Sequence, residues 1–230
     1  MTHFAHPNTL LINIVGETLK AIGPEKFMHG SGEQAKRGRE AFAEYFFLLA
    51  LKKDTKKDWW LYQPIDQFPD FDLVSFQENP IWVNLYRFEL VTIPDRCNSF
   101  EEMMDIVLGK INKGYPKNYN LLIYLNHAKS AEWVALLNTH LESFHPFDTV
   151  WTVYLTFEDA NSVRSSIVHR IRPYPSRSIE ATIDDGELHR RQPLPTYMEE
   201  TEINGQSYVS FKEHFVKELR QKVRRARFGA

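Results

Sequence analysis

Residues 69–91 read PDFDLVSFQENPIWVNLYRFELV and contain two strand-like runs that carry acidic residues among apolar ones. Successive side chains of a strand point to opposite faces, so Asp70 and Asp72 share one face of the first run. By the same rule Glu89 and Val91 share one face of the second run. If the two acidic faces meet, Asp70 or Asp72 forms a pair of oxygen ligands with Glu89.

Such a pair suits a hard divalent cation. Magnesium and manganese prefer oxygen ligands, and magnesium is commonly held by one or two carboxylates with waters and substrate phosphate. The structural alternative is that Asp70 is a turn residue, Asp72 an exposed strand residue and Glu89 an ion-pair partner. An acid-x-acid pattern with one later glutamate is common, so these residues alone favour the structural alternative.

Length and composition indicate a globular protein. The chain has 230 residues, of which 43% are hydrophobic and 25% charged, enough for one core with elaborations or a subdomain. The single cysteine, Cys97, excludes an intramolecular disulfide framework and cysteine-based zinc sites. No apolar run approaches the roughly 18 to 20 residues of a membrane span, and no secretory leader pattern is present. We therefore expect a cytoplasmic protein without a membrane partner.

The charge is unevenly distributed. The last twenty residues carry seven basic and two acidic side chains, a balance of +5, which leaves −7 for the preceding residues of a chain whose net charge is −2. Clustered lysine and arginine side chains favour binding to the phosphate backbone of nucleic acid, and DNA is the expected partner. The alternatives are a solubilising end or contact with an acidic patch on another copy, as in a homodimer.

Periodicity predicts the first elements. A helix is expected over residues 8–22, ended by Gly23-Pro24, and a longer one over 32–53. Strands are expected over 58–63, 71–76 and 81–93.

The later elements alternate. Ser99 and Glu102 predict a capping box that opens a helix ending before Gly114, and a buried strand follows over 121–125. Ser130 is the expected cap of a further helix that extends to Phe144. A strand is expected over 149–157, then a hairpin around Asn204-Gly205 and a final helix from about Phe211.

This order predicts an α/β fold with a mixed central sheet flanked by helices on both faces. It divides the chain into a helical extension over residues 1–31, an α/β core over 32–157 and a C-terminal extension with a basic helix over 158–230.

Four segments in order carry a resemblance to a known family: GREAFAEYFF, PDFDLVSF, YRFELV with the helix after it, and YNLLIYL. Residues 32–157 resemble the PD-(D/E)XK, or restriction-endonuclease-like, nuclease superfamily. The resemblance implies a divalent-metal-dependent endonuclease that hydrolyses DNA phosphodiesters by water attack. The motif is short, and the succession of elements supplies most of the likeness.

The resemblance assigns roles to individual residues. It implies that Asp70 is the first metal carboxylate, with Asp72 as the competing candidate, and that Glu89 is the second. Glu40 lies on the long helix at the position where some members carry an additional glutamate that helps to bind the metal or the attacking water. Glu44 is the alternative for this role. For a helical glutamate, a solvated residue or ion-pair partner is the structural alternative.

Val91 stands where the family carries a lysine that positions water and offsets phosphate charge, and a valine can do neither. Some members supply the side chain from the adjoining helix. Lys110 and Lys113 are the available donors, and Lys110 is preferred because a helix packed on the strand can direct it towards Glu89. The structural alternative for both is a solvated helix end near the negative end of the helix dipole. The competing hypothesis for the protein is a nuclease fold that lost catalysis and binds nucleic acid or another protein.

Overall fold

The structure is a computed structural model that describes residues 4–5, 7, 10–62, 70–77, 82–115, 118–127, 129–140, 144, 146–156, 165–173, 175–183, 196–203 and 206–228. The chain forms two compact units. The first unit comprises Met1–Val74 and Leu85–Ile183, and the second comprises Ser75–Asn84 and Asp184–Ala230. These units are bounded differently from the three segments expected from the sequence.

Within the described residues the main sheet has eight strands, and neighbouring strands follow one another in chain order. The predicted ends at Gln63, Ile81 and Phe157 lie outside the described residues. The strands are β1 (Phe4–Ala5), β2 (Trp59–Tyr62), β3 (Phe71–Gln77), β4 (Trp82–Ile93), β5 (Tyr119–Leu125), β6 (Val150–Thr156), β7 (Ser165–Arg172) and β8 (Arg177–Thr182).

The centre of the sheet is parallel and its C-terminal side is antiparallel. β4 pairs with β5 and β5 with β6 in parallel, whereas β7 pairs antiparallel with both β6 and β8. The parallel strands are joined through α3 (Phe100–Ile111) and α4 (Ser130–Leu137). The predicted strand-helix-strand crossovers are therefore confirmed.

Helices cover both faces of the sheet. Leu90 and Leu122 pack in a core cluster with the long helix α2 (Glu33–Thr55), while their neighbours Val91 and Ile123 pack in a second cluster with α3 and α4. Alternate side chains of one strand thus enter different cores, as strand geometry requires. This confirms the predicted α/β class with a mixed, helix-flanked sheet.

The N-terminal helical region confirms the predicted helix end at Gly23-Pro24. A π-helical segment, Leu10–Gly16, leads into α1 (Glu17–His29), which consists of two helical stretches that meet at a kink. Gly23 has φ 78° and ψ 161°, which are not helical angles, so the first stretch ends there and a second one continues to His29. The predicted long helix is confirmed as α2, with its bounds shifted by one or two residues.

The two predicted serine caps have different outcomes. Ser99 caps α3, because its Oγ accepts from the Glu102 N–H at 3.2 Å. The Glu102 carboxylate returns to the Asn98 N–H at 2.8 Å rather than to that of Ser99. The prediction that the Ser130 side chain caps α4 is wrong, because its hydroxyl donates to the carbonyl of Leu125 at 3.1 Å. The predicted extension of this helix to Phe144 is also wrong, because α4 ends at Leu137.

The second unit contains the predicted C-terminal hairpin and helix. β9 (Met198–Ile203) pairs antiparallel with β10 (Gln206–Phe211), and Asn204-Gly205 lies outside the described residues. The final helix, α5 (Glu213–Phe228), starts two residues later than expected because Phe211 still belongs to β10. No helix in the described part of the chain is long and apolar enough to cross a membrane.

Candidate active site

Asp70, Glu89 and Lys110 meet at one point of the first unit. Asp70 directly precedes β3, Glu89 lies in β4, and Lys110 lies in the last turn of α3. The Lys110 Nζ is 2.6 Å from Asp70 Oδ2 and 2.8 Å from Glu89 Oε2. One ammonium group therefore bridges the two carboxylates that the sequence pairs.

The backbone fixes this arrangement from two sides. Asp70 Oδ2 accepts a hydrogen bond from the N–H of Leu90 at 2.8 Å, which holds the aspartate beside the residue that follows Glu89. Glu89 shares its face of β4 with Val91, and Val91 packs in the same cluster as Ile111 of α3. Because Lys110 precedes Ile111, the packing of α3 on this face brings the ammonium to the carboxylates.

The environment of Glu89 requires a positive partner. Its side chain is completely buried. Burial raises the pKa of Glu89, and the nearby charge of Asp70 raises it further, whereas the Lys110 ammonium lowers it. For Lys110, burial acts to lower the pKa, but hydrogen bonds and attraction from Asp70 and Glu89 outweigh it, so the pKa is raised. Lys110 is therefore a cation at neutral pH.

Tyr115 is a member of this site that sequence reasoning missed. Burial raises the pKa of its hydroxyl to about 12, and the charge and hydrogen bond of Glu89 raise it too. The phenol therefore stays protonated at neutral pH and lies within the electrostatic environment of Glu89. The available signal in the sequence is its position five residues after Lys110, just beyond the end of α3 at Ile111.

Two glutamates of α2 belong to the same electrostatic environment. Burial raises the pKa of Glu40, and the charge of Asp70 contributes, while Lys36 and Lys110 oppose it. Glu44, one turn further along, is buried, and its burial together with the charges of Glu40 and Asp70 raises its pKa to about 8. Of the two candidates, Glu40 is the half-exposed one that interacts electrostatically with Lys110.

The remaining sequence candidates lie elsewhere or are enclosed. Asp72 is completely buried in β3, so the structural alternative, in which it is an exposed strand residue, is wrong. Lys113 is exposed in the turn after α3. Val91 is buried and packs against α3, and Pro69 lies outside the described residues.

Asp70 and Glu89 are the side chains of this site that could hold a divalent cation. Within the described ranges, no group of three or more histidine, cysteine, aspartate or glutamate side chains is arranged to hold a metal ion. Asp70 and Glu89 nevertheless direct two carboxylate oxygens at one positive charge. Two carboxylates suffice for magnesium when waters and a substrate phosphate complete its shell. Asp70 and Glu89 supply that number of carboxylates, and the Lys110 ammonium occupies the point between them.

Comparison with known proteins gives no independent assignment. No protein-family model, no curated protein and no solved structure matches this chain.

Proposed function

We propose that this protein is a divalent-metal-dependent endonuclease with a restriction-endonuclease-like core that hydrolyses phosphodiester bonds in DNA. Support comes from the order of elements: an acidic residue before β3, a second acidic residue on β4, and a parallel β4-α3-β5 passage beside them. The site residues in this proposal are Asp70, Glu89 and Lys110, with Glu40 in a supporting role.

The observation that supports the proposal most strongly is the position of the Lys110 ammonium beside Asp70 and Glu89. Val91 cannot supply the positive charge that its position holds in the nuclease superfamily, whereas Lys110 delivers an ammonium within 2.8 Å of both carboxylates. A cation fixed there can stabilise the negative charge that develops on a phosphoryl group.

Asp70 and Glu89 would hold magnesium or manganese, which when bound polarises a phosphoryl oxygen and promotes ionisation of the attacking water. Lys110 would turn from the carboxylates towards the phosphate and stabilise its added charge. Burial raises the pKa of Glu40, which suits this side chain to accept the proton of the attacking water. In the overall hydrolysis the water oxygen bonds to phosphorus, the bond to one ester oxygen breaks, and that oxygen takes up a proton.

The proposal is tested by incubating purified protein with linear, circular and single-stranded DNA in magnesium or manganese, beside Asp70→Ala and Glu89→Ala. We expect metal-dependent cleavage by the wild type and a loss of at least about a hundredfold in each variant. Manganese binding, measured by titration calorimetry, should weaken in both. Equal cleavage by all three proteins would show that the activity comes from a contaminant or from another site.

A second candidate function follows if the ion pairs of Lys110 have a structural role and not a catalytic one. The Lys110 ion pairs also resemble a structural link that fixes α3 to the sheet and neutralises two carboxylates. The protein would then be a nuclease fold without catalysis that binds nucleic acid. DNA binding by the wild type without cleavage in any metal would favour this candidate.

A further inference from the structure

The outward side of α5 carries a stripe of positive charge, here called the α5 basic stripe: Lys217, Arg220 and Arg224. All three are exposed. Their spacings of three and four residues place them on one side of the helix. The opposite side carries Phe215 and Leu219, which are both buried.

The apolar side of α5 is already occupied within the second unit. The Phe215 ring stacks on Tyr197 with the centroids 4.8 Å apart and lies 5.4 Å from Phe76 and 5.8 Å from Phe211. A basic helix that binds a membrane inserts its apolar face into the lipid. Because that face of α5 packs in the protein, the helix presents mainly its charges to a partner.

The α5 basic stripe is not neutralised by the described part of the protein. No carboxylate there pairs with its three side chains, and Glu218 lies 3.7 Å from Lys222 instead. The last twenty residues have a charge balance of +5, and the preceding residues have −7. The segment that forms α5 therefore has a net positive charge while the preceding chain is net negative, and a polyanion would be attracted to α5.

We propose that the α5 basic stripe binds the phosphate backbone of duplex DNA and supplies affinity that is independent of base sequence. This inference deepens the proposed function and takes its partner from it. Lys217 and Arg224 are separated by about 10 Å along the helix axis. A duplex carries one negative charge per about 1.7 Å of its axis, so each of the three cations can face a phosphate.

The test compares the wild type with a Lys217→Gln/Arg220→Gln/Arg224→Gln variant in binding to a labelled duplex of mixed sequence. Glutamine is a good helix former, so the substitution removes charge while retaining α5. Fluorescence anisotropy in metal-free buffer with EDTA excludes cleavage. We expect binding at about 0.1 M salt to weaken about tenfold or more, and the slope of log K against log salt to become shallower by about 2 to 3.

The matched control is Lys26→Gln/Lys57→Gln/Lys129→Gln, which removes three exposed lysines from the first unit. Circular dichroism establishes that both variants are folded. A DNA affinity and salt slope that change equally in both variants, or in neither, would overturn the inference. Binding of the wild type to phosphatidylserine vesicles or to polyglutamate, but not to DNA, would also overturn it.

The inference and the proposed function fail in different ways. If DNA binding depends on the α5 basic stripe but the wild type shows no metal-dependent cleavage, the DNA-binding inference holds and the proposed nuclease function is rejected. If cleavage needs Asp70 and Glu89 but the triple variant binds DNA as the wild type does, the nuclease function holds and the DNA-binding inference is rejected.

Discussion

Lys110 is the residue on which the electrostatics of the site depend. It is only 15% exposed and balances a completely buried Glu89 together with an Asp70 that is 36% exposed. If the ammonium is removed, two neighbouring carboxylates remain without a cation. Either they ionise at a high free-energy cost or one of them takes up a proton.

We predict that Lys110→Met lowers the free energy of unfolding at pH 7. Breaking a fully buried ion pair costs about 3 to 5 kcal/mol, and the loss should be smaller here because water screens Asp70. Burial raises the pKa of Glu89, and Lys110 opposes this rise, so in the variant the pKa of Glu89 rises further in the folded state and its protonation favours folding. The deficit should therefore shrink as the pH falls from 7 to 4, as measured by urea denaturation. A deficit that does not change with pH would contradict this electrostatic explanation.

Glu44 gives a second pH-dependent prediction. Its pKa is raised from 4.5 to about 8 by burial and by the charges of Glu40 and Asp70. The folded protein therefore keeps a proton that the unfolded chain releases above pH 4.5. This contribution to stability is fully present below pH 4.5 and is lost as the pH rises to 8, by at most about 1.4 kcal/mol per pH unit.

Glu44→Gln should remove that dependence, because glutamine is neutral and similar in shape to a protonated glutamate. We expect the variant to gain stability relative to wild type between pH 5 and pH 8 in denaturant titrations. The exposed Glu25 on α1 provides the control, and Glu25→Gln should show no such trend. A constant difference between Glu44→Gln and wild type would contradict the raised pKa.

Strand period in the sequence paired Asp70 or Asp72 with Glu89, and the resemblance to the nuclease superfamily then favoured Asp70 and Lys110. Tyr115 was not predicted, since its contact with Glu89 depends on where the chain turns after α3. Ser130 was predicted as a cap because serine favours that position, but its hydroxyl is hydrogen-bonded to the carbonyl of Leu125 instead.

At the scale of elements, α1 and α2 approach each other closely at Gly38. A Cβ placed there would lie 2.6 Å from Cε2 of Phe27 and 2.8 Å from Cγ2 of Thr18. Both atoms belong to α1, so the absence of a side chain permits the packing of the two helices.

We predict that Gly38→Ala destabilises the protein by about 1 to 3 kcal/mol through overpacking, although alanine favours a helix by up to about 1 kcal/mol. Gly109→Ala in α3 is the matched control, because a Cβ there meets no atom within 4 Å. That variant should be slightly stabilised in thermal unfolding. Equal effects of the two substitutions would contradict the close approach of α1 and α2.

The bounds of helices and strands were predictable where the hydrophobic residues recur with a clear period. They were less predictable where a single residue changes the direction of the chain. All seven side chains of β5 are buried, as its apolar run predicts for a central parallel strand. Gly23 and Pro24 resemble a stop signal in the sequence. In the structure Gly23 leaves the helical conformation as that signal predicts, and the residues after it form a second helical stretch up to His29 that was not predicted from the sequence.

At the scale of the whole molecule, the mixed sheet and its two helical layers followed from the order of elements. The order of elements did not predict which segments form the second unit, because this unit joins residues 75–84 to a segment about a hundred residues later in the sequence. Phe76, for example, contacts Phe211 and Phe215 with ring centroids 5.4 Å apart in both cases. Such contacts depend on side-chain packing between distant segments, for which the sequence has no periodic signal.

The central claim is that Lys110 supplies the charge that Val91 cannot. The most direct measurement is the single-turnover rate of DNA cleavage in manganese by wild type, Lys110→Met and Lys113→Met, with folding established by circular dichroism. We predict a decrease of about 100- to 1000-fold for Lys110→Met and wild-type rates for Lys113→Met, whose side chain is exposed outside the site. Cleavage by folded Lys110→Met at the wild-type rate would contradict the account.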